Sequence, residues 1–193
     1  MGVSLVFQPR LVEFTPEERD AWVSGDRGDC DDYCAGISGG VGIGGFGEYI
    51  TGKHWETREY RWVHHDFDIF GYNIDGKYPS QTILETALGA ERLAAFKRLC
   101  KGLEPFKESG HDALVQPDLL IYNADMTDIR FAECKRHGTS DLVSPQQALG
   151  LYLIESQLGL PAEVCVVAER GTCVEPSPPL TFTYERGRVR IVG

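Results

Sequence analysis

Two period-two stretches stand out where hydrophobic positions meet polar ones. Leu119-Leu120-Ile121-Tyr122 is a short apolar run opened by Pro117-Asp118, and Ile129-Arg130-Phe131-Ala132-Glu133-Cys134-Lys135 alternates toward two charged residues. Strand side chains alternate faces, so Glu133 and Lys135 share one face while Ala132 and Cys134 take the other. The polar segment Asn123 to Asp128 between them is turn-prone and predicts a hairpin that brings Asp118 beside Glu133. A 3.6-residue period follows. Ser144-Pro145-Gln146-Gln147 reads as an N-cap, a first-turn proline and a capping-box residue. Ala148, Leu149, Tyr152, Leu153 and Leu158 continue that helix to Gly159, and Ala162 to Ala168 forms a further strand. Hairpin, crossover helix and strand predict one α/β core.

Upstream, Ser80 to about Lys101 has helical spacing in Leu84, Leu88, Ala95 and Leu99, with Glu91 inside that arc. Val3 to Phe14 is strand-like, and Thr15-Pro16-Glu17-Glu18 starts a helix. Residues 36–47 are glycine-dense but lack the framing of a dinucleotide or P-loop site, so they read as a linker or packed loop. Trp55 to Tyr72 is rich in aromatics, with strand alternation across Tyr60, Trp62 and His64. These rings suit a small core or, with Lys53, Arg58 and Arg61, stacking of single-stranded bases. Leu180 to Tyr184 and Val189 to Val192 form a hairpin through an arginine-containing turn, whose arginines could touch phosphate. The expected organisation is an N-terminal extension over 1–79 and a catalytic domain over 80–193.

An Asp, a Glu and a Lys converging on one sheet suit metal-dependent phosphodiester cleavage. Asp118 and Glu133 offer hard oxygens to Mg²⁺ or Mn²⁺, and Lys135 can orient the attacking water or stabilise charge on the phosphate. Glu-x-Lys alone is a common surface pair, and the preceding Pro117-Asp118 gives it weight.

At these residues the chain resembles the PD-(D/E)xK nuclease superfamily, and within it the virus-type replication-repair (VRR-NUC) nuclease family. The shared features are Pro117-Asp118, Glu133-Cys134-Lys135, Leu142-Val143-Ser144-Pro145-Gln146-Gln147 and Val164-Cys165-Val166-Val167, within residues 80–168. It departs from the family pattern in the inserted Val143, in Cys134 for a valine and in Gln116 for a glycine. The resemblance implies a restriction-endonuclease-like core, a mixed sheet flanked by helices. It also implies a metal held by Asp118, Glu133 and the Cys134 carbonyl, with Gln147 lining the site or serving only the helix cap. A glutamate from the helix preceding the Asp strand completes the set, either Glu85, which a capping box from Thr82 would also explain, or Glu91. His111 and Asp112 read as a solvated loop within reach.

The net charge of −10 is unusual for an enzyme acting on DNA. Residues 1–79 hold 7 basic and 14 acidic side chains, and 80–193 hold 12 and 15, so the excess is mostly N-terminal. Arg130, Lys135, Arg136 and His137 form one basic group, and Lys97, Arg98 and Lys101 another. Six cysteines at irregular spacing suggest a reduced, cytoplasmic protein. Cys30 and Cys34 are a weak zinc pair. No secretory signal or membrane span is expected. The expected function is a Mg²⁺- or Mn²⁺-dependent deoxyribonuclease, structure-selective or a toxin-like effector delivered into another cell. Expected partners are DNA, a second copy in a homodimer and an immunity or regulatory protein. The alternatives are a non-catalytic binding module of the same fold and a metal enzyme built on His64, His65, Asp66 and Asp68.

Overall fold

The computed structural model describes residues 3–26, 45–64, 67–71, 80–102, 114–172, 179–185 and 188–191. Cys30, Cys34, most of the glycine-dense run, His65, Asp66, Tyr72, His111, Asp112 and Arg186 lie outside the described residues.

The elements are β1 (Val3–Phe7), β2 (Arg10–Phe14), α1 (Pro16–Ser24), α2 (Phe46–Glu56), β3 (Tyr60–His64), α3 (Gln81–Leu88), α4 (Ala90–Gly102), β4 (Leu119–Asn123), β5 (Ile129–Arg136), α5 (Pro145–Leu153), β6 (Ala162–Glu169), β7 (Leu180–Glu185) and β8 (Arg188–Ile191). A π-helical turn, Ile154–Leu158, prolongs α5 to a left-handed Gly159. The central sheet has the order β2-β6-β5-β4-β3, and a second sheet the order β1-β7-β8. β3, β4 and β5 run antiparallel, whereas β6 is parallel to both β5 and β2. The result is a mixed α/β fold, a central mixed sheet flanked by helices.

The β4–β5 hairpin forms as its alternation predicts. Leu119 faces Ala132 and Tyr122 faces Ile129, a register that sets Asp118 opposite Glu133. β4 is buried on both faces, which explains its unbroken apolar run. Leu120, Phe131 and Val164 join the larger core with α3, α4 and α5. Leu119, Ile121, Ala132, Cys134 and Cys165 face the other way, into a second core under α2.

Strands pair across residue 79, the small-core reading of the aromatic segment is the one that forms, and one expectation, the single helix over 80–101, changes. Residues before 80 are integral to both sheets: β1 pairs with β7, β2 with β6 and β3 with β4. The aromatic segment is interior, with Trp55, Trp62, Phe67 and Phe70 all buried, so these rings are unavailable for stacking bases. The 80–101 helix is two helices, broken at Gly89 with φ of 79°. After the break the buried positions restart at Leu93, Phe96 and Cys100, leaving Ala95 and Leu99 exposed. A continuous helical phase cannot cross a residue in that conformation.

α2 sits close to the sheet because it presents glycine there. A Cβ on Gly52 would lie 2.2 Å from Trp62 Cε2, and one on Gly47 would meet Arg136 and Cys134 side chains at 3.5 and 4.0 Å. The first turn of α2 therefore rests on the Cys134 and Arg136 face of β5, the face opposite Glu133 and Lys135.

Candidate active site

Asp118, Glu133 and Lys135 come together as buried charges on one end of the β4–β5 hairpin, with relative exposures of 9%, 1% and 9%. Pro117 keeps the chain extended into β4 and donates no hydrogen bond, so Asp118 stands at the strand's mouth. Asp118 Oδ2 accepts the Cys134 amide at 2.8 Å, a cross-strand tie that fixes the carboxylate. Lys135 Nζ lies 2.8 Å from Glu133 Oε1 and 3.0 Å from Asp141 Oδ1.

Gln147 performs both roles its position suggested. Its Oε1 accepts the Ser144 amide at 2.9 Å while its own amide donates to Ser144 Oγ at 3.2 Å, closing the capping box. Its Nε2 donates to Glu133 Oε1. One side-chain amide spends its oxygen on the helix cap and its nitrogen on the carboxylate, so α5 is registered against β5 through Glu133.

The other oxygen of Glu133, Oε2, is buried and receives no hydrogen bond. Burial, then the charge of Asp118, pushes the Glu133 carboxyl up to about 8, with Lys135 opposing. Burial would lower the Lys135 ammonium, but the charge and hydrogen bonds of Glu133 and Asp141 outweigh it and hold it raised. Leaving a buried carboxylate oxygen unsatisfied is costly. Two facing carboxylates with one orphaned oxygen make a donor set that fits a hard divalent cation. Among the described residues, no group of three or more His, Cys, Asp or Glu side chains is arranged around a metal position, so water or backbone oxygen would complete the shell.

Glu85 and Glu91 are both solvent-exposed. Among the described residues, Glu85 accepts a long contact from Gln81, at 3.5 Å, and α3 has its N-cap at Ser80, two residues ahead of Thr82. Glu91 opens α4 outside the buried arc once Gly89 resets the phase. Neither helix glutamate is brought to the carboxylates. Cys134 contributes its amide to Asp118, and its thiol is buried on the opposite face, raised well above the usual range by that burial.

Two acidic residues absent from the expected set are present instead. Asp141 holds Lys135 from the loop after β5. Glu48, in the first turn of α2 and 24% exposed, lies 4.0 Å from His64 Nε2 and close enough to Cys134 to act on its thiol together with Asp118. The apolar spacing of Phe46, Ile50 and Trp55 marks this helix in the sequence, but the preceding glycine run masks its start.

Of the alternative centre, His64 and Asp68 lie among the described residues and take other partners. His64 faces Glu48, while Asp68 accepts the Gly71 amide at 2.7 Å and pairs with Lys97 at 3.5 Å. Cys100, Cys134 and Cys165 are free and buried. Among the described residues, no helix is long and apolar enough to cross a membrane. No protein-family model, curated protein or solved structure matches the chain.

Proposed function

We propose that this chain is a metal-dependent deoxyribonuclease with a restriction-endonuclease-like core of the VRR-NUC kind. The observation that carries this reading is Glu133, buried among Asp118, Lys135 and Gln147 with one oxygen unclaimed. The order of hairpin, crossover helix and parallel strand supports it. A fold keeps a buried, incompletely satisfied carboxylate pair at a cost in stability, and functional sites are where such costs are kept.

Asp118 and Glu133 would hold Mg²⁺ or Mn²⁺, and Glu48, whose charge acts on the Cys134 thiol as that of Asp118 does, would take the place of Glu85 as the helix carboxylate. The cation, when bound, supplies Lewis-acid polarisation of the phosphate and a more acidic water. Gln147 orients Glu133, and Asp118 is oriented by the Cys134 amide. Lys135 gives two of its three N–H groups to Glu133 and Asp141, which leaves one for a phosphate oxygen or the attacking water.

The test is cleavage of supercoiled plasmid and of single-stranded oligonucleotide with Mg²⁺, Mn²⁺ or EDTA, beside Lys135→Ala. Metal-dependent cutting that the variant loses is the expected result. Glu48→Gln should reduce cutting while Glu85→Gln leaves it intact; the reverse outcome would return the helix ligand to α3. A second reading, a non-catalytic binding module, draws on the 1% exposure of Glu133. It predicts a folded wild type that binds DNA and cuts neither substrate in any metal.

A further inference from the structure

Lys135 belongs to two features at once. It pairs with the buried carboxylate of Glu133, and it also lines a cleft of about 270 Å³ between the two sheets. Val164 and Val166 of β6 floor this cleft, Leu180 and Phe182 of β7 wall it, and the loop from Arg136 to Val143 closes the remaining side. The lining is apolar except where Lys135, Arg136, His137, Thr139 and Asp141 meet it. Leu142 stands at the rim, 74% exposed.

The charge pattern selects the occupant. A basic end that opens into an apolar slot is complementary to a phosphate joined to a flat, weakly polar ring. The volume lies just under the range of about 300–1,000 Å³ usual for small-molecule sites. That suits one heterocycle and excludes a duplex. A base inside a stacked pair cannot enter a slot between two sheets, so it must already be unpaired or be turned out of the helix.

We propose that this cleft takes the unpaired nucleobase next to the phosphate held at Lys135. The proposal rests on the nuclease reading for the phosphate's position. Apolar contact with the partly exposed Val166 and Leu180 and the exposed Leu142 supplies a sequence-tolerant grip.

The experiment measures binding of wild-type protein in EDTA to two fluorescently labelled single-stranded oligonucleotides, one normal and one bearing consecutive abasic sites, and to a blunt duplex. The expected result is at least tenfold tighter binding of the normal single strand than of either other probe. Val166→Trp, which fills the slot, should remove that preference. Leu142→Glu is at an exposed position and tests the rim without burdening the fold, so it decides the matter if Val166→Trp does not fold. Equal binding of normal and abasic strands, or a preference unchanged in Leu142→Glu and in folded Val166→Trp, overturns the cleft as a base site. Such a result leaves the nuclease reading untouched when plasmid is still cut. Base-dependent binding without cutting under any metal keeps the cleft and overturns the nuclease.

Discussion

The two ends of the β4–β5 hairpin both carry charge, and they treat it in opposite ways. At the turn end, Asp128 accepts Tyr60 Oη at 2.5 Å and Arg130 Nη2 at 2.7 Å, and Arg130 lies 4.4 Å over the Trp55 ring. Asp128 keeps partial contact with water, and its hydrogen bond from Tyr60 holds its carboxyl below the usual range. At the other end, Asp118 and Glu133 are buried side by side, Glu133 is raised, and an oxygen goes unclaimed. The turn end pairs each charge with one of opposite sign, and although Arg130 Nε is buried without a hydrogen bond, no like charges face each other there. The strand-mouth end stores an unmet demand for positive charge, and that contrast, more than the mere presence of acids on a sheet, marks a site.

The largest expected difference is in chemistry. Glu133→Ala and Lys135→Ala should each lower metal-dependent cleavage by about 10²–10³-fold or more, the scale of losing a preorganised electrostatic group. Arg130→Ala should stay within a few-fold in the same plasmid assay. Comparable losses at both ends would erase the distinction.

Next come the opposite pH signatures. The Glu133 carboxyl binds its proton more tightly in the folded state, so metal-free stability should fall as pH rises from about 4.5 to about 8. Thermal melts across that window in EDTA should show this slope in wild type and a flatter one in Glu133→Gln. Asp128 behaves in the reverse sense. Its lowered carboxyl contributes stability above its ordinary value that is lost as pH falls below it, so Asp128→Asn should flatten only the acidic limb.

Metal should sharpen the contrast further. A cation that binds only the folded state raises the melting temperature by mass action, about 2.7 kcal/mol at one hundred times its dissociation constant. Mg²⁺ or Mn²⁺ should therefore raise the melt of wild type more than that of Asp118→Ala, and more at pH 8 than at pH 6, because ligands must shed protons. An equal shift in the two proteins would remove Asp118 from the ligand set. The smallest effect belongs to the turn end. Breaking the Arg130–Asp128 pair should cost about 1 kcal/mol or less in urea titrations, as partly exposed pairs do.

The difference between the ends is only half visible along the chain. Period-two alternation places Glu133 and Lys135 on one face and, with the polar Asn123–Asp128 turn, sets Asp118 opposite Glu133. The motif Ser144-Pro145-x-Gln147 specifies its capping box through local hydrogen bonds alone. Such features depend on residues a few positions apart, or on a short hairpin, where geometry is nearly fixed by covalent spacing. The helix carboxylate was not legible in this way. The family resemblance favoured Glu85 and helical spacing Glu91, yet Glu85 sits on the exposed side of α3 and the break at Gly89 leaves Glu91 outside the buried arc of α4. Glu48 reaches the sheet because Gly47 and Gly52 let α2 approach closely, a condition set by side chains on distant strands.

By itself, then, the sequence determined the hairpin, the carboxylate pair with its lysine, and the capped crossover helix. Tertiary structure decided that residues before 80 build the same sheets, that Gln147 divides its amide between cap and carboxylate, and that Asp141 and Glu48 approach the site. It also formed the cleft at Lys135 between β6 and β7. The division follows from range. Local elements are encoded by periodicity and capping chemistry, whereas burial, orphaned oxygens and clefts exist only once distant segments exclude water between them.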